Sequence, residues 1–143
     1  MDSIKLEMFH KTIGKTVPFP SFNTLNNKIV GKIKQKIAKK LHIVPKTQFE
    51  LAITIEKSIK FIENANPENK DFSVKKVLRE NGIIPKDEII VWDKDFDVFK
   101  FKEFEKYFYG LWYPGVSDFI IFDNSLTWIC CVFHYSKVGI LRF

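Results

Sequence analysis

The sequence predicts a single α+β domain in which N-terminal helices pack on a C-terminal antiparallel β-meander. Three observations carry that prediction. Leu25, Ile29, Ile33, Ile37 and Leu41 recur at intervals of four, the period of one helix face. Three β-rich runs at 119–122, 127–133 and 138–143 are joined by short polar connections, which favour antiparallel neighbours. A chain of 143 residues with 45% hydrophobic content can close one good core but not two independent ones.

In chain order, residues 1–23 carry Gly14, Pro18 and Pro20 among scattered apolar positions and read as an extended lead-in packed through Phe19 and Phe22. Residues 24–82 read as mainly helical. The first helix starts at Asn23 or Thr24, both good caps, and ends between His42 and Pro45. Thr47-Gln48-Phe49-Glu50 has the spacing of a capping box, whose hydroxyl and carboxylate each satisfy a free backbone N–H. A second helix follows with Ala52, Ile55, Ile59 and Ile62 on one face. Pro67 and three Asn mark 64–70 as a loop, a short third helix spans 73–81 with Val74, Val77 and Leu78 inward, and Gly82 suits its left-handed end.

Residues 83–143 read as strand, helix and meander. The apolar run 89–92 is a strand after the Pro85 break, and Phe101, Phe104, Phe108 and Leu111 share one face of a helix ending at Gly110. Residues 128–133 are apolar at both parities, which places that strand mid-sheet with both faces covered. Fifteen phenylalanines argue for a core of large rings and against disorder.

The N-terminal residues show no basic stretch followed by an apolar signal core, and no apolar run reaches the ~20 residues of a membrane span. Adjacent Cys130 and Cys131 in one strand point to opposite faces and do not bridge comfortably. A soluble cytoplasmic protein with reduced thiols is the expectation. Net charge is +6, unevenly placed: residues 1–63 hold twelve lysines against five acids, whereas 84–134 hold five lysines against nine acids. The chain has a basic half and an acidic half.

Three candidate surfaces follow. On the basic helix running from Lys28 toward Lys46, which no acid interrupts, Lys28, Lys32, Lys36 and Lys39 form one strip beside the apolar stripe. Such ammonium groups can neutralise phosphates, giving nucleic-acid affinity without base specificity. His134 with Asp118 and Asp123 has the residue types of a general base or a metal site, the basis for a small His/Asp hydrolase as a lesser alternative. Their spacing matches no compact ligand motif. The remaining candidate is an aromatic and acidic rim of Tyr107, Tyr109, Trp112, Tyr113, Asp118, Asp123, His134 and Tyr135, since Trp and Tyr give large contact area and acids attract a basic partner. No catalytic residue, metal or cofactor is assigned, and the oligomeric state is open.

Trp112-Tyr113-Pro114-Gly115, Ser117-Asp118, Ile121, Asp123, Ser125, Trp128 and His134 together resemble the C-terminal signature of small bacterial immunity proteins of contact-dependent growth inhibition and related polymorphic toxin systems. The resemblance covers the last third of the chain. It implies a cytosolic protein that neutralises a cognate toxin domain, such as a nuclease, by direct one-to-one binding. Inhibitors of basic nucleases are usually acidic, so a chain of +6 meets its toxin either through the acidic 84–134 portion or, if the toxin is acidic, through the lysine helix.

Overall fold

The computed structural model describes residues 1–47 and 49–143. Among the described residues seven strands form one antiparallel sheet: β1 (Phe22–Thr24), β2 (Lys60–Phe61), β3 (Glu88–Trp92), β4 (Phe96–Lys100), β5 (Phe119–Phe122), β6 (Trp128–Val132) and β7 (Val138–Arg142). Their spatial order is β1-β4-β3-β5-β6-β7-β2. The α+β domain and the β5-β6-β7 meander are as expected, and β6 is buried along its whole length. The α-helices of the described residues are α1 (Ser3–Ile13), α2 (Asn27–Lys40), α3 (Glu50–Ser58), α4 (Val74–Glu80) and α5 (Phe101–Lys106), the last followed by a 3-10 turn at Phe108–Gly110.

Because successive strand residues face opposite sides, the sheet has two apolar faces, and helices cover both. On one face Phe9 of α1, Leu78 of α4 and Phe104 of α5 pack against Ile89, Phe99, Phe119, Cys130 and Val132. On the other, Ile37 of α2 with Leu51 and Ile55 of α3 pack against Ile90, Phe122, Ile129 and Cys131. The single core expected from sequence is therefore two layers flanking a central sheet.

Several local expectations are corrected. The first half of the lead-in is a helix: Asp2 caps α1 by accepting from the Lys5 N–H at 3.0 Å, and Lys5, Phe9 and Ile13 turn inward. Residues 22–24 pair with β4, so α2 begins later than expected, behind an Asn26 cap that accepts from the Ile29 N–H at 3.0 Å. The capping box includes Gln48, which lies outside the described residues; the Glu50 carboxylate does reach back, to the Lys46 N–H at 2.6 Å. Ile62 is not on a helix face, because the chain leaves α3 at Ser58 and Lys60–Phe61 pairs with β7 as an edge strand. Strand β4 was not anticipated. Its buried Asp97 interrupts the apolar pattern, and that carboxylate is neutralised by the Met1 ammonium at 2.9 Å and accepts from Thr24 Oγ1 at 2.6 Å.

Candidate docking site

The antiparallel pairing puts different chemistry at the two ends of the sheet. The start of β5, the end of β6 and the end of β3 meet at one end, since Phe119 pairs with Val132 and Ile120 with Trp92. Asp93, Asp118 and the turn His134–Ser136 follow from that register. The opposite end carries Asp123–Thr127, the segment before β3 with Lys86, and Arg142 at the end of β7.

The eight rim residues proposed from sequence separate into three groups. Trp112 and Asp123 are sealed in the fold, which corrects their assignment as contacts. Trp112 stacks parallel on Phe108 at 6.2 Å and its Nε1 donates to the Val132 carbonyl at 3.3 Å. Asp123 accepts from the Lys86 N–H at 3.0 Å, the Ser125 N–H at 2.9 Å, Trp128 Nε1 at 3.1 Å and the Ser125 hydroxyl. Burial pushes this carboxyl up, but the hydrogen bonds from Ser125, Lys86 and Trp128 outweigh it and hold the group below the usual carboxylate range. It cannot join His134 in a catalytic or metal-binding trio, because it lies at the other end of β5.

A second group belongs to the face covered by α1. Tyr107 is half-buried with its ring edge-on to Phe9 at 5.7 Å. Tyr113 donates its hydroxyl to the Gly110 carbonyl at 2.7 Å and shares a hydrogen bond with Thr12. Tyr109 is exposed beneath the Lys70 ammonium, 5.8 Å from its ring centre. These rings hold the 107–113 segment in place and do not join the remaining three residues.

Asp118, His134 and Tyr135 do come together, at the exposed end of the sheet. The Asp118 Oδ1 lies 2.8 Å from both the backbone nitrogen and the Nδ1 of His134, so an ionised carboxylate makes Nδ1 the protonated ring nitrogen. The Gly115 N–H donates to the His134 carbonyl at 2.8 Å, tying the 113–117 turn to the 134–136 turn. Tyr135 stacks on Phe133 at 5.2 Å with the rings 3° from parallel, and its hydroxyl donates to Glu56 Oε1 of α3 at 2.8 Å. Burial and the Glu56 carboxylate push the phenol above its ordinary value, so it remains a donor. Phe61 of β2 leans on Phe133 at 6.3 Å and stays 47% exposed, while Val116 is 67% exposed. Ser136 donates to Glu68 Oε2 at 2.7 Å.

Sequence reasoning missed Glu56, Phe61 and Val116. Glu56 of α3 and Phe61 of β2 are far from the tail in sequence, and no local pattern signals that α3 ends beside the β6–β7 turn. Chemically, the cluster is a set of exposed rings among carboxylates that hydrogen bonds already orient. Among the described residues Asp118 is the hydrogen-bond partner of the imidazole, and no group of three or more His, Cys, Asp and Glu is arranged to hold a metal ion. Cys131 lies buried on the same sheet face, with its thiol pushed well up by burial and by Glu56 and Asp118.

Lys28, Lys32, Lys36 and Lys39 are all exposed on α2. Lys36, Lys39 and Lys40 line a shallow cleft of about 410 Å³ with Asn124, Ser125 and Leu126. Among the described residues no helix is long and apolar enough to cross a membrane. No family model, no curated protein and no solved structure matches the chain.

Proposed function

We propose that this chain is a cytoplasmic immunity protein that neutralises a toxin domain by stoichiometric binding, with no chemical step of its own. The supporting observation is the exposed cluster of Val116, Asp118, His134 and Tyr135 with Glu56 and Phe61, built at one end of a sheet whose central strands β5 and β6 are buried throughout. Ring stacking and hydrogen bonds hold Asp118, His134, Tyr135 and Glu56 before any partner arrives, so these four lose little rotamer freedom on association. Aromatic groups of this kind supply most of the affinity at protein interfaces, and oriented carboxylates speed encounter with a cationic surface such as a nuclease cleft.

The anchor is Tyr135 with Phe61; Trp112, one of the rim residues expected from sequence, is buried and cannot serve. Truncating Tyr135 to alanine is expected to cost about 2 kcal/mol or more of binding, whereas Asp118→Asn acts mainly on association rate and its salt dependence.

The test starts from the genes beside the one for this chain: a toxin domain encoded there is the partner to purify, and the lack of one counts against the reading. Purified toxin is titrated with the chain while toxin activity and complex mass are followed. Full neutralisation at one chain per toxin, together with a 1:1 complex that Tyr135→Ala weakens, supports the reading. Neutralisation far below equimolar ratio, or a Tyr135→Ala variant that binds as tightly as the parent, overturns it.

A further inference from the structure

The outward side of the α2–α3 layer carries chemistry that the docking site does not use. Both helices pack on the same sheet face, through Ile37 and Ala38 of α2 and through Leu51 and Ile55 of α3. Their opposite sides therefore point away from the sheet in the same direction. On α2 that side carries Lys28 and Lys32, and the same strip, at ~100° per residue, continues to Lys36 and Lys39, which also border the cleft beside Asn124–Leu126. On α3, Phe49 and Ile53 lie one turn apart, 66% and 48% exposed, with the exposed Lys57 one turn further on.

Between the two helices runs an apolar groove of about 480 Å³ lined by Ala38, Ile43, Val44, Pro45 and Leu51, with Lys34 and Lys39 at its rim. Val44 stands 87% exposed at its edge. Glu50 and Glu56 of α3 accept from the Lys46 N–H and the Tyr135 hydroxyl and keep their charge, but the six lysines of α2 with Lys57 outnumber them and leave the layer positive. Protruding apolar side chains set in a field of lysines complement one kind of surface, in which anionic groups lie directly above hydrocarbon.

We propose that the α2–α3 face binds the surface of an anionic lipid bilayer, with Val44, Phe49 and Ile53 entering the headgroup boundary and the α2 lysines lying against acidic headgroups. This contact is peripheral and needs no spanning segment. A nucleic acid would engage the lysines and stack a base on Phe49, but Val44 and Ile53 offer it nothing and remain in water. The bilayer uses both features at once.

Vesicle sedimentation tests this with the intact chain. Vesicles of phosphatidylcholine alone are compared with vesicles containing about one third phosphatidylglycerol, at low and raised salt. The expected result is sedimentation with the anionic vesicles only, weakening as salt rises. Phe49→Ser with Ile53→Ser should lower that binding roughly tenfold or more, and Lys32→Ser or Lys36→Ser about fivefold each. All four positions are exposed, so circular dichroism and the thermal midpoint should stay at parental values. Absence of binding to anionic vesicles, or equal binding to neutral ones, overturns the proposal. So does parental vesicle binding by the double serine variant with displacement by a short oligonucleotide, which assigns the strip to nucleic acid instead.

Discussion

Replacing Asp123 separates a docking role from an organising one. Its carboxylate accepts from two backbone N–H groups, an indole N–H and a hydroxyl, and it is 1% exposed. Alanine at this position leaves the Trp128 indole N–H buried without a partner and frees the Lys86 and Ser125 amides at the mouth of β3 and β5. A buried donor left unmade costs about 1–3 kcal/mol, and the two amides, partly open to water, cost less. Asp123→Ala is therefore expected to lose roughly 3–5 kcal/mol, a large share of the stability of a domain this size. Asp123→Asn should lose less, because one oxygen is kept while the new amide N–H faces donors.

Urea unfolding followed by tryptophan fluorescence reads this directly as a lower midpoint at unchanged slope. The pH dependence has a definite sign. The folded-state pKa of Asp123 is depressed, so its contribution is present above the unfolded value of about 3.9 and is lost as pH falls through the folded value. The parent should lose stability on acidification across that window, and Asp123→Ala should lose less. A loss under about 1 kcal/mol for Asp123→Ala, accompanied by weakened partner binding, would refute the organising role and restore Asp123 to the interface.

Other perturbations have equally definite outcomes. Lys5 is buried against Ser117 Oγ at 2.6 Å and over the Tyr113 and Phe119 rings, and burial pushes its ammonium down despite Asp93 and Asp2. Lys5→Met should match the parent or exceed it by about 1 kcal/mol at neutral pH; the gain should shrink as pH rises through the lowered folded value, where the parent sheds its buried charge, and a clear loss in thermal melts would contradict this. Gly139→Ala places a Cβ against Ile59, with Cγ1 at 3.0 Å and Cβ at 3.2 Å, and should cost about 1–3 kcal/mol by overpacking, measured by thermal denaturation. Burial raises the Cys130 thiol to about 12 and Cys131 is raised as well, so a thiol reagent at about pH 8 should label neither in the native protein and both once it is unfolded.

Much of the fold was legible in the sequence where apolar periodicity was uninterrupted. The short helix after Ser73 and the β5-β6-β7 meander stand as read, and Phe101, Phe104, Phe108 and Leu111 all reach the core, although the α-helix that carries the first two stops at Lys106 and a 3-10 turn continues it. The misses share one physical cause. Helix α1 has Lys5 where an apolar residue would complete its inward stripe, and β4 has Asp97 on its inner side; each charge is buried beside partners from distant sequence. A local pattern cannot anticipate such pairing. Ile59 and Ile62 preserve helical spacing, yet Ile59 packs over Gly139 and the Ile62 N–H donates to the Val138 carbonyl at 2.8 Å, which draws the chain into an edge strand.

The site shows the same limit. Asp118 and Asp123 bracket β5 almost symmetrically, yet one is exposed and the other sealed, because Lys86 and Trp128 converge on only one end of the strand. Trp112 is drawn inward by Phe108 and by the Val132 carbonyl. Residue type alone identified the outward trio of Asp118, His134 and Tyr135, but not Glu56 and Phe61, which a long-range contact delivers.

The most direct measurement is hydrogen–deuterium exchange on the chain alone and in its equimolar toxin complex. New protection confined to residues 56–61, 114–118 and 133–137 is the expected result. Protection on α2 with those three segments unchanged, or no segment protected in a complex that mass measurement shows to exist, would contradict a docking surface built from Tyr135, Phe61 and the Asp118–His134 pair.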